Sequence, residues 1–236
     1  MNRLETRRVL VKISGEVLGS AQAGIDLERV DAFAAELRAA KETGTEIAVV
    51  VGGGNVLRGY QMSRKGVDRI EADYMGMLGT IINAVALVGA LTRAGIDARV
   101  MTAIPLASVA EPFTSRQALN HLEKDRLIII AGGTGNPYFT TDTAAALRAA
   151  EIKADTLLKG TKVDGIFSSD PVVDPGAKMI EELGYTEVLQ RDLKVMDATA
   201  IALCRENQIP IIVFNIQKQG NLKNVLLGER IGTIVR

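Results

Sequence analysis

Four segments of the chain combine glycines with charged or hydroxyl side chains that could bind phosphate. In the first, VLVKISGE, Lys12 lies within an apolar, strand-like run that breaks at Ser14 and Gly15. A lysine in a buried strand is costly unless its ammonium group is paired with an anion. The alternative is an edge strand from which the side chain reaches water. We expect the paired arrangement, with the ammonium group meeting an anion at the end of the strand.

The second segment, VVVGGGNVLRG, runs from three valines into Gly52, Gly53 and Gly54, and Arg58 follows four residues later. Consecutive glycines let several backbone N–H groups point at one anion, and a helix that begins after them adds its positive end. Arg58 could supply a charged contact. The glycines alone are also compatible with a tight turn. If they bind phosphate, a methyl group at Gly53 or Gly54 should block its approach.

The third segment, AGGTGNPYFTTDTAA, is rich in polar side chains before a predicted helix. We expect Thr141 or Asp142 to be the N-cap of that helix. One cap does not account for the other side chains that could bind a ligand, which include Thr134, Asn136 and Thr140.

The fourth segment, LLKGTKVDGIFSSDP, places Lys159, Thr161, Lys162 and Asp170 in a region rich in turn residues. Its Asp-Gly pair alone could form an ordinary hairpin turn. Whether either lysine contacts phosphate is left open by the sequence.

Neither of the two familiar phosphate-binding loops is present. The pattern G-x-x-x-x-G-K-[ST] occurs nowhere, and Leu57 stands where G-x-G-x-x-G would require its last glycine. A Walker-type loop is therefore excluded and a Rossmann dinucleotide site is disfavoured. The chain has the features of a phosphate-binding protein that uses neither loop.

Composition limits the possible partners. The 236 residues include 28 basic and 28 acidic side chains, a balance that argues against nucleic acid binding. The single cysteine, Cys204, fits a packed thiol in a reducing compartment, and the single histidine, His121, is expected at a solvated helix position without metal partners. The N-terminus does not resemble a signal peptide. No apolar run approaches the ~20 residues that would span a bilayer, so no membrane partner is expected.

Strand-like and helical patterns alternate along the whole chain. Strands are predicted at Val9–Ile13, Glu46–Val51, Ala98–Met101, Arg126–Ile130, Thr156–Leu158 and Pro210–Phe214. Helices are predicted at Leu27–Thr43, Asp73–Ala94, Ser115–Lys124, Thr143–Ile152, Tyr185–Gln190 and Ala198–Asn207. This alternation is typical of an α/β fold, in which helices cover both faces of a largely parallel central sheet. We expect one compact domain over residues 1–236, with two lobes.

The helix predicted at Asp73–Ala94 is apolar around nearly its whole circumference. A surface helix is normally apolar along one stripe only. The pattern therefore leaves two alternatives, a helix enclosed by its own domain or a helix packed against another subunit.

The segments VKISGE, VVVGGGNVLRG, DYMGMLGTIINA, AGGTGNPYFTTDTAA, LKGTKVDGIFSSDP and KVMDATA together resemble the bacterial uridylate (UMP) kinases of the amino acid kinase superfamily. The likeness runs in order from Val9 to Arg236. The lysine strand, the glycine triplet and KVDGIFSSDP would suit several members of the superfamily. DYMGMLGT, GTGNPYFTTD and KVMDATA are narrower and favour UMP kinase.

The resemblance implies a three-layer αβα fold and the reaction ATP + UMP → ADP + UDP, with Mg²⁺, in cytoplasmic pyrimidine nucleotide synthesis. It implies a catalytic group of Lys12, Arg58, Asp142 and Asp197, without a dedicated metal site. Contacts to ATP are implied for Lys12, Ile13, Ser14, Gly15, Gly54, Arg58, Thr161, Phe167 and Asp170. Contacts to UMP are implied for Gly53, Asp73, Thr134, Gly135, Asn136, Pro137, Tyr138, Phe139, Thr140 and Thr141. We expect the N-terminal part of the domain to bind mainly the acceptor nucleotide and the C-terminal part mainly ATP.

The resemblance also implies feedback inhibition by UTP and a homohexamer built as a trimer of dimers. Activation by GTP is in doubt, because LGSAQAGID departs from the glycine-rich stretch of the family members that GTP activates. Two alternatives stay open. One is a kinase of the same superfamily that acts on carbamate or an amino acid carboxylate, and the other is a nucleotide sensor without catalytic activity.

Overall fold

The computed structural model of the chain describes residues 7–20, 22–56, 66–169, 174, 176–193 and 195–236. Its strands are β1 (Arg8–Ile13), β2 (Glu46–Val51), β3 (Ala98–Thr102), β4 (Glu111–Pro112), β5 (Leu127–Ala131), β6 (Thr156–Thr161), β7 (Ile166–Phe167), β8 (Met179–Ile180), β9 (Glu182–Leu183), β10 (Ile211–Asn215) and β11 (Thr233–Val235). Its helices are α1 (Leu27–Lys41), α2 (Arg69–Arg93), α3 (Ser115–Glu123), α4 (Thr141–Glu151), α5 (Tyr185–Gln190), α6 (Ala198–Glu206) and α7 (Asn221–Leu226).

Within these residues, nine strands form one sheet in the order β4-β3-β5-β2-β1-β6-β10-β11-β9. The pairs from β3 through β10 are all parallel, and β11 joins β10 antiparallel. A separate hairpin pairs β7 with β8. The carboxyl ends of β5, β2, β1, β6 and β10 therefore lie along one edge of the sheet.

Two hydrophobic clusters lie on opposite faces of the sheet. Alternate residues of β1 divide between them, since Val9, Val11 and Ile13 belong to one cluster and Leu10 belongs to the other. Helices α1, α2 and α7 supply the first cluster, whereas α3, α4, α5 and α6 supply the second. The expected three-layer α/β architecture is confirmed.

Most predicted elements form, with boundaries that shift by a few residues. Helix α2 begins at Arg69 rather than Asp73, because Asp68 caps it and accepts a hydrogen bond from Ile70 N at 2.8 Å. The predictions omitted α7 and the short strands β4, β7, β8, β9 and β11. Elements of two to six residues carry too few apolar positions for periodicity to reveal them.

Helix α2 is longer and more apolar than the sequence expectation allowed. An 18-residue window within Arg69–Arg93 reaches a mean hydropathy of 1.8, so length and composition alone would permit it to cross a membrane, contrary to that expectation. Half of this window is buried inside the protein. Its inner side carries buried Thr80 and Asn83, which bond to other segments of the domain, and we therefore interpret α2 as a core helix.

The expected solvated position of His121 is wrong. The residue is 7% exposed, and its Nε2 lies 2.9 Å from Glu111 Oε2. Its Nδ1 lies 3.2 Å from Arg126 Nη1, which can only donate, so this nitrogen is the acceptor. Sequence periodicity on the short helix α3 did not reveal these two charged neighbours. Cys204 is a fully buried free thiol, as expected, and burial raises its pKa to about 12.

Candidate active site

Parallel pairing brings the ends of four strands and their loops to one edge of the sheet. Gly52 N donates to Ile13 O at 3.0 Å, which joins the loop after β2 to the end of β1. The loop after β5 and the end of β6 lie at the same edge, because both strands run parallel to their neighbours. In open α/β sheets ligands bind beyond these carboxyl ends. The four segments singled out in the sequence therefore share one location.

A carboxylate whose side chain is 17% exposed joins two lysines at this edge. Lys12 Nζ lies 2.6 Å from Asp142 Oδ1, and Lys159 Nζ lies 2.9 Å from Asp142 Oδ2. Lys12 belongs to β1, an interior strand, so the edge-strand alternative is wrong. The anion that its ammonium group meets is a side chain of the protein, carried by the first turn of α4.

Burial and the neighbouring charges act in opposite directions on the pKa of Asp142. Burial disfavours the charged carboxylate, but the positive charges of Lys12 and Lys159 outweigh it and lower the pKa of Asp142. Burial also lowers the pKa of Lys159, and the charge of Lys12 adds to that effect while Asp142 opposes it. Asp142 is therefore a carboxylate whose charge depends on both lysines.

A second acidic residue stands beside this cluster. Asp197 is the N-cap of α6 and accepts from Ala200 N at 2.9 Å. Its Oδ1 also accepts from Thr143 Oγ1 at 2.9 Å, and its Oδ2 accepts from Thr140 Oγ1. The N-cap of α4 is Thr140, so the expectation of Thr141 or Asp142 is wrong by one or two positions. Asp142 is consequently free to pair with the lysines.

Two glycines permit the close approach of the first two loops. An added Cβ at Gly15 would lie 2.5 Å from Gly52 O, and one at Gly52 would lie 3.1 Å from Gly15 N. A pair of asparagines fixes this contact: Asn83 Nδ2 donates to Gly52 O at 2.8 Å and to Asn55 Oδ1 at 2.7 Å. Asn55 Nδ2 in turn donates to Asn83 Oδ1 at 2.9 Å and to Gly24 O at 2.6 Å. Neither asparagine was predicted from the sequence as a site residue, although Asn83 is a polar residue inside an apolar helix.

Gly53 and Gly54 serve different purposes. An added Cβ at Gly53 would lie 2.4 Å from Gly76 O and 3.0 Å from Thr80 N, both in the backbone of α2. An added Cβ at Gly54 would have no atom within 4 Å. The need for glycine at 53 is therefore already explained by helix packing, whereas Gly54 is the position that could leave space for a ligand.

The loop between β5 and α4 is held from both sides. Asp73 Oδ2 accepts from Tyr138 N at 2.8 Å and from Arg69 Nε at 2.8 Å, so α2 anchors the tip of the loop. Tyr138 has a φ of 72°, and its side chain is exposed below the Arg69 guanidinium at 5.5 Å. Gly132 N donates to Thr80 Oγ1 at 2.7 Å at the base of the loop.

Arg148 supports the same loop from beneath and was not expected from the sequence. It is 5% exposed, stacks at 4.3 Å on the Phe113 ring and pairs with Glu151 at 2.5 Å. Its Nη2 lies 3.4 Å from Gly133 O and 3.5 Å from Thr134 O.

The other predicted contact residues differ in accessibility. Ile13 is fully buried, and Ser14 caps a 3-10 turn at Gly15–Val17. Thr161 ends β6 and Phe167 lies in the β7–β8 hairpin, both partly exposed. Partly or fully exposed surfaces belong to Thr141, the first residue of α4, and to Gly135, Asn136, Pro137, Phe139 and Thr140 in the loop before it. Arg58 and Asp170 lie outside the described residues.

The arrangement combines two partly buried lysines, an open glycine backbone and a polar loop on rigid elements. Such a site can bind and align anionic groups, and it contains no histidine that could act as a base. The sequence matches the amino acid kinase family over residues 7–215. The chain belongs to this family.

Similar proteins agree with this assignment. A uridylate kinase of Zymomonas mobilis is 54% identical over 229 residues, which are 97% of this chain and 95% of that protein. The structure of the UMP kinase from Bacillus anthracis superposes with a TM-score of 0.95 at 39% identity, covering 98% of this chain and 96% of the other. The UMP kinase from Ureaplasma parvum gives a TM-score of 0.91 at 37% identity, covering 98% of each chain.

The different roles of Gly53 and Gly54 can be tested by substitution. We expect Gly53→Ala to lower the free energy of unfolding by about 1–3 kcal/mol, because the methyl group would press on the α2 backbone. Gly54→Ala should leave it unchanged while weakening nucleotide binding. Urea unfolding and calorimetric titration with ATP would measure the two effects. Equal stability losses in both variants would contradict the distinction.

Proposed function

We propose that this protein is a UMP kinase that transfers the γ-phosphoryl group of ATP to UMP and forms ADP and UDP. The observation that carries the proposal is the partly buried Lys12–Asp142–Lys159 cluster at the edge where four loops meet. Phosphoryl transfer demands alignment and charge stabilisation rather than covalent chemistry. The extensive likeness to a uridylate kinase supports UMP as the acceptor.

The chemistry requires no general base. A phosphate monoester has a second pKa near ~6 and is mostly dianionic at neutral pH, so a UMP phosphate oxygen is already a nucleophile. It attacks the γ-phosphorus while the bond to the leaving ADP oxygen breaks. The principal difficulty is the repulsion between two polyanions. In our proposal Lys12 turns from Asp142 to the transferred group, and backbone N–H groups near Gly54 share its charge.

The two substrates occupy different parts of the edge in this proposal. Asp73 and the loop of residues 134–141 hold UMP, with Gly53 near its phosphate. Ser14, Gly15 and Gly54 hold the ATP phosphates, while Thr161 and Phe167 border its adenosine. Arg58 and Asp170 complete the set as predictions from the sequence. ATP would then contact both parts of the domain, with its phosphates at the N-terminal loops and its adenosine at the C-terminal part.

Magnesium enters with ATP. The described part of the chain contains no group of three or more acidic, histidine or cysteine side chains that could hold a metal ion. Mg²⁺ in kinases is typically bound by substrate phosphates, water and one or two carboxylates. Lys12 Nζ lies 2.6 Å from Asp142 Oδ1, so this oxygen would become available to a metal-bound water when Lys12 turns to the phosphate. Asp142 and Asp197 would face the ion, which neutralises phosphate charge.

An acceptor assay tests the proposed activity. We expect ADP release from ATP with UMP, much less with CMP, and none with carbamate or acetylglutamate. Lys12→Ala should lower turnover with UMP by about 100-fold or more, because one stabilising cation is lost, while UMP binding persists. Preference for carbamate or acetylglutamate would indicate the related kinase activity. No ADP with any acceptor, together with ATP binding, would indicate a sensor.

A second test addresses the acceptor side. Asp73→Ala should raise the KM for UMP by about tenfold or more and leave the KM for ATP nearly unchanged, because a charged hydrogen-bond acceptor is lost at one substrate only. Glu71→Ala, an exposed position on the same turn of α2, is the matched control. Equal changes in both KM values would refute the assignment.

We also propose a homohexamer, a trimer of dimers, with α2 in the dimer contact. The outer side of α2 carries Ile70, Tyr74, Leu78, Ile82 and Val85, each 43–48% exposed. Their spacing of three or four residues makes one continuous apolar stripe, and a contiguous apolar patch of this kind marks interaction surfaces. A second copy can cover it through a two-fold contact of the stripe with itself.

Light scattering coupled to size-exclusion chromatography tests this interface. We expect the wild-type protein at the hexamer mass and Leu78→Glu with Ile82→Glu at a smaller mass, since charges would be buried in the contact. Leu27→Glu, at a 66% exposed position of α1, is the control and should keep the wild-type mass. A monomeric wild-type protein would overturn the proposal.

The proposed place of the reaction is pyrimidine nucleotide synthesis in the cytoplasm. The product UDP is the precursor of UTP, and we propose UTP as a feedback inhibitor. Cys204, a free and buried thiol, is compatible with a reducing compartment.

A further inference from the structure

Lys159 belongs to the charged cluster but is not among the residues proposed to contact ATP or UMP. It lies on β6 opposite Lys12 on β1, as the two residues are register partners of a parallel pair. Side chains of such partners point to the same face of the sheet. Both ammonium groups therefore reach the face that α4 covers, where each contacts a different oxygen of Asp142.

The two lysines differ in how they are held. Lys12 makes an ion pair with Asp142 Oδ1 at 2.6 Å. Lys159 donates a hydrogen bond to Asp142 Oδ2 at 2.9 Å and another to the carbonyl oxygen of Val195. Val195 lies two residues before Asp197, so Lys159 connects α4 with the segment that enters α6. This double anchoring makes Lys159 the fixed lysine and Lys12 the one that can move.

We propose that Lys159 is a positioning residue that retains Asp142 when Lys12 turns to the transferred phosphoryl group. The inference rests on the proposed kinase function and assigns a role to a residue outside its substrate contacts. Without Lys159, Asp142 would be a buried carboxylate with a single cation, and it would hold Lys12 against the pull of the phosphate. With Lys159, the carboxylate stays paired whichever way Lys12 points.

The charges of the four side chains support different roles for the two lysines. Lys12, Lys159, Asp142 and Asp197 together carry two positive and two negative charges, so the resting cluster is neutral. Release of Lys12 leaves Lys159 as the cation that faces Asp142 and Asp197, and both carboxylates favour its charged form. In the resting cluster, burial and the neighbouring charge of Lys12 lower the pKa of Lys159 despite these two carboxylates.

Three variants test the role. Lys159→Met should lower kcat by about 10- to 100-fold, the range seen when partners that orient a reactive group are removed, with the KM for UMP unchanged. Lys159→Arg keeps the charge and should restore part of kcat. Lys223→Met removes a lysine from an exposed ion pair with Glu42 on the opposite face of the sheet and should match the wild type. Calorimetric titration with UMP confirms that each variant is folded.

A pH profile separates positioning from a merely structural effect. The wild-type kcat should fall at alkaline pH as Lys159 loses its proton, since its folded pKa is lowered and the charged form is the active one. In Lys159→Arg this alkaline limb should move to higher pH, because a guanidinium stays charged. An unmoved limb, or Lys159→Met with wild-type kcat, would overturn the inference. Absence of UDP formation by the wild type would instead refute the proposed function.

Discussion

The site depends on one largely buried carboxylate, which α4 places against two lysines. Parallel strand pairing makes Lys12 and Lys159 neighbours across β1 and β6, and their two ammonium groups would repel each other without Asp142 between them. Removing one partner of a buried ion pair typically costs about 3–5 kcal/mol, because a charge is left without compensation. Two positive charges therefore lie where two polyanionic substrates would meet, and Asp142 pairs with both lysines while no substrate is bound.

The glycines around this cluster are needed for close packing of the backbone as well as for any ligand. Gly15 and Gly52 let two loops touch, and Gly53 lets the second loop lie on α2, with gaps too small for a Cβ. Only Gly54 of the triplet faces open space. Asn55 and Asn83 then fix the loop by reciprocal amide hydrogen bonds, so that the backbone N–H groups are held in place before any substrate binds. Such preorganisation is the main source of electrostatic catalysis.

Helix α2 links the site to the proposed assembly. Its inner side supplies Thr80 and Asn83 to the loops after β5 and β2, and its first turns supply Asp73 to the loop before α4. Its outer side carries the apolar stripe. Substrate loops and subunit contact would thus share one rigid element, and a change on the outer side would be transmitted to the acceptor loop through that helix.

Local sequence patterns were sufficient to identify the α/β class, the family and the four loops, because strand and helix periods, glycine runs and family motifs are local properties. They also indicated that Lys12 must meet an anion, since a charge in a buried strand needs a partner. Three-dimensional packing was needed to show that the partner is Asp142, that Lys159 shares it, and that Gly53 packs on α2. It also placed His121 between Glu111 and Arg126, in the interior. These contacts join residues far apart in the chain, and strand register and helix packing, which no local pattern records, determine which of them meet.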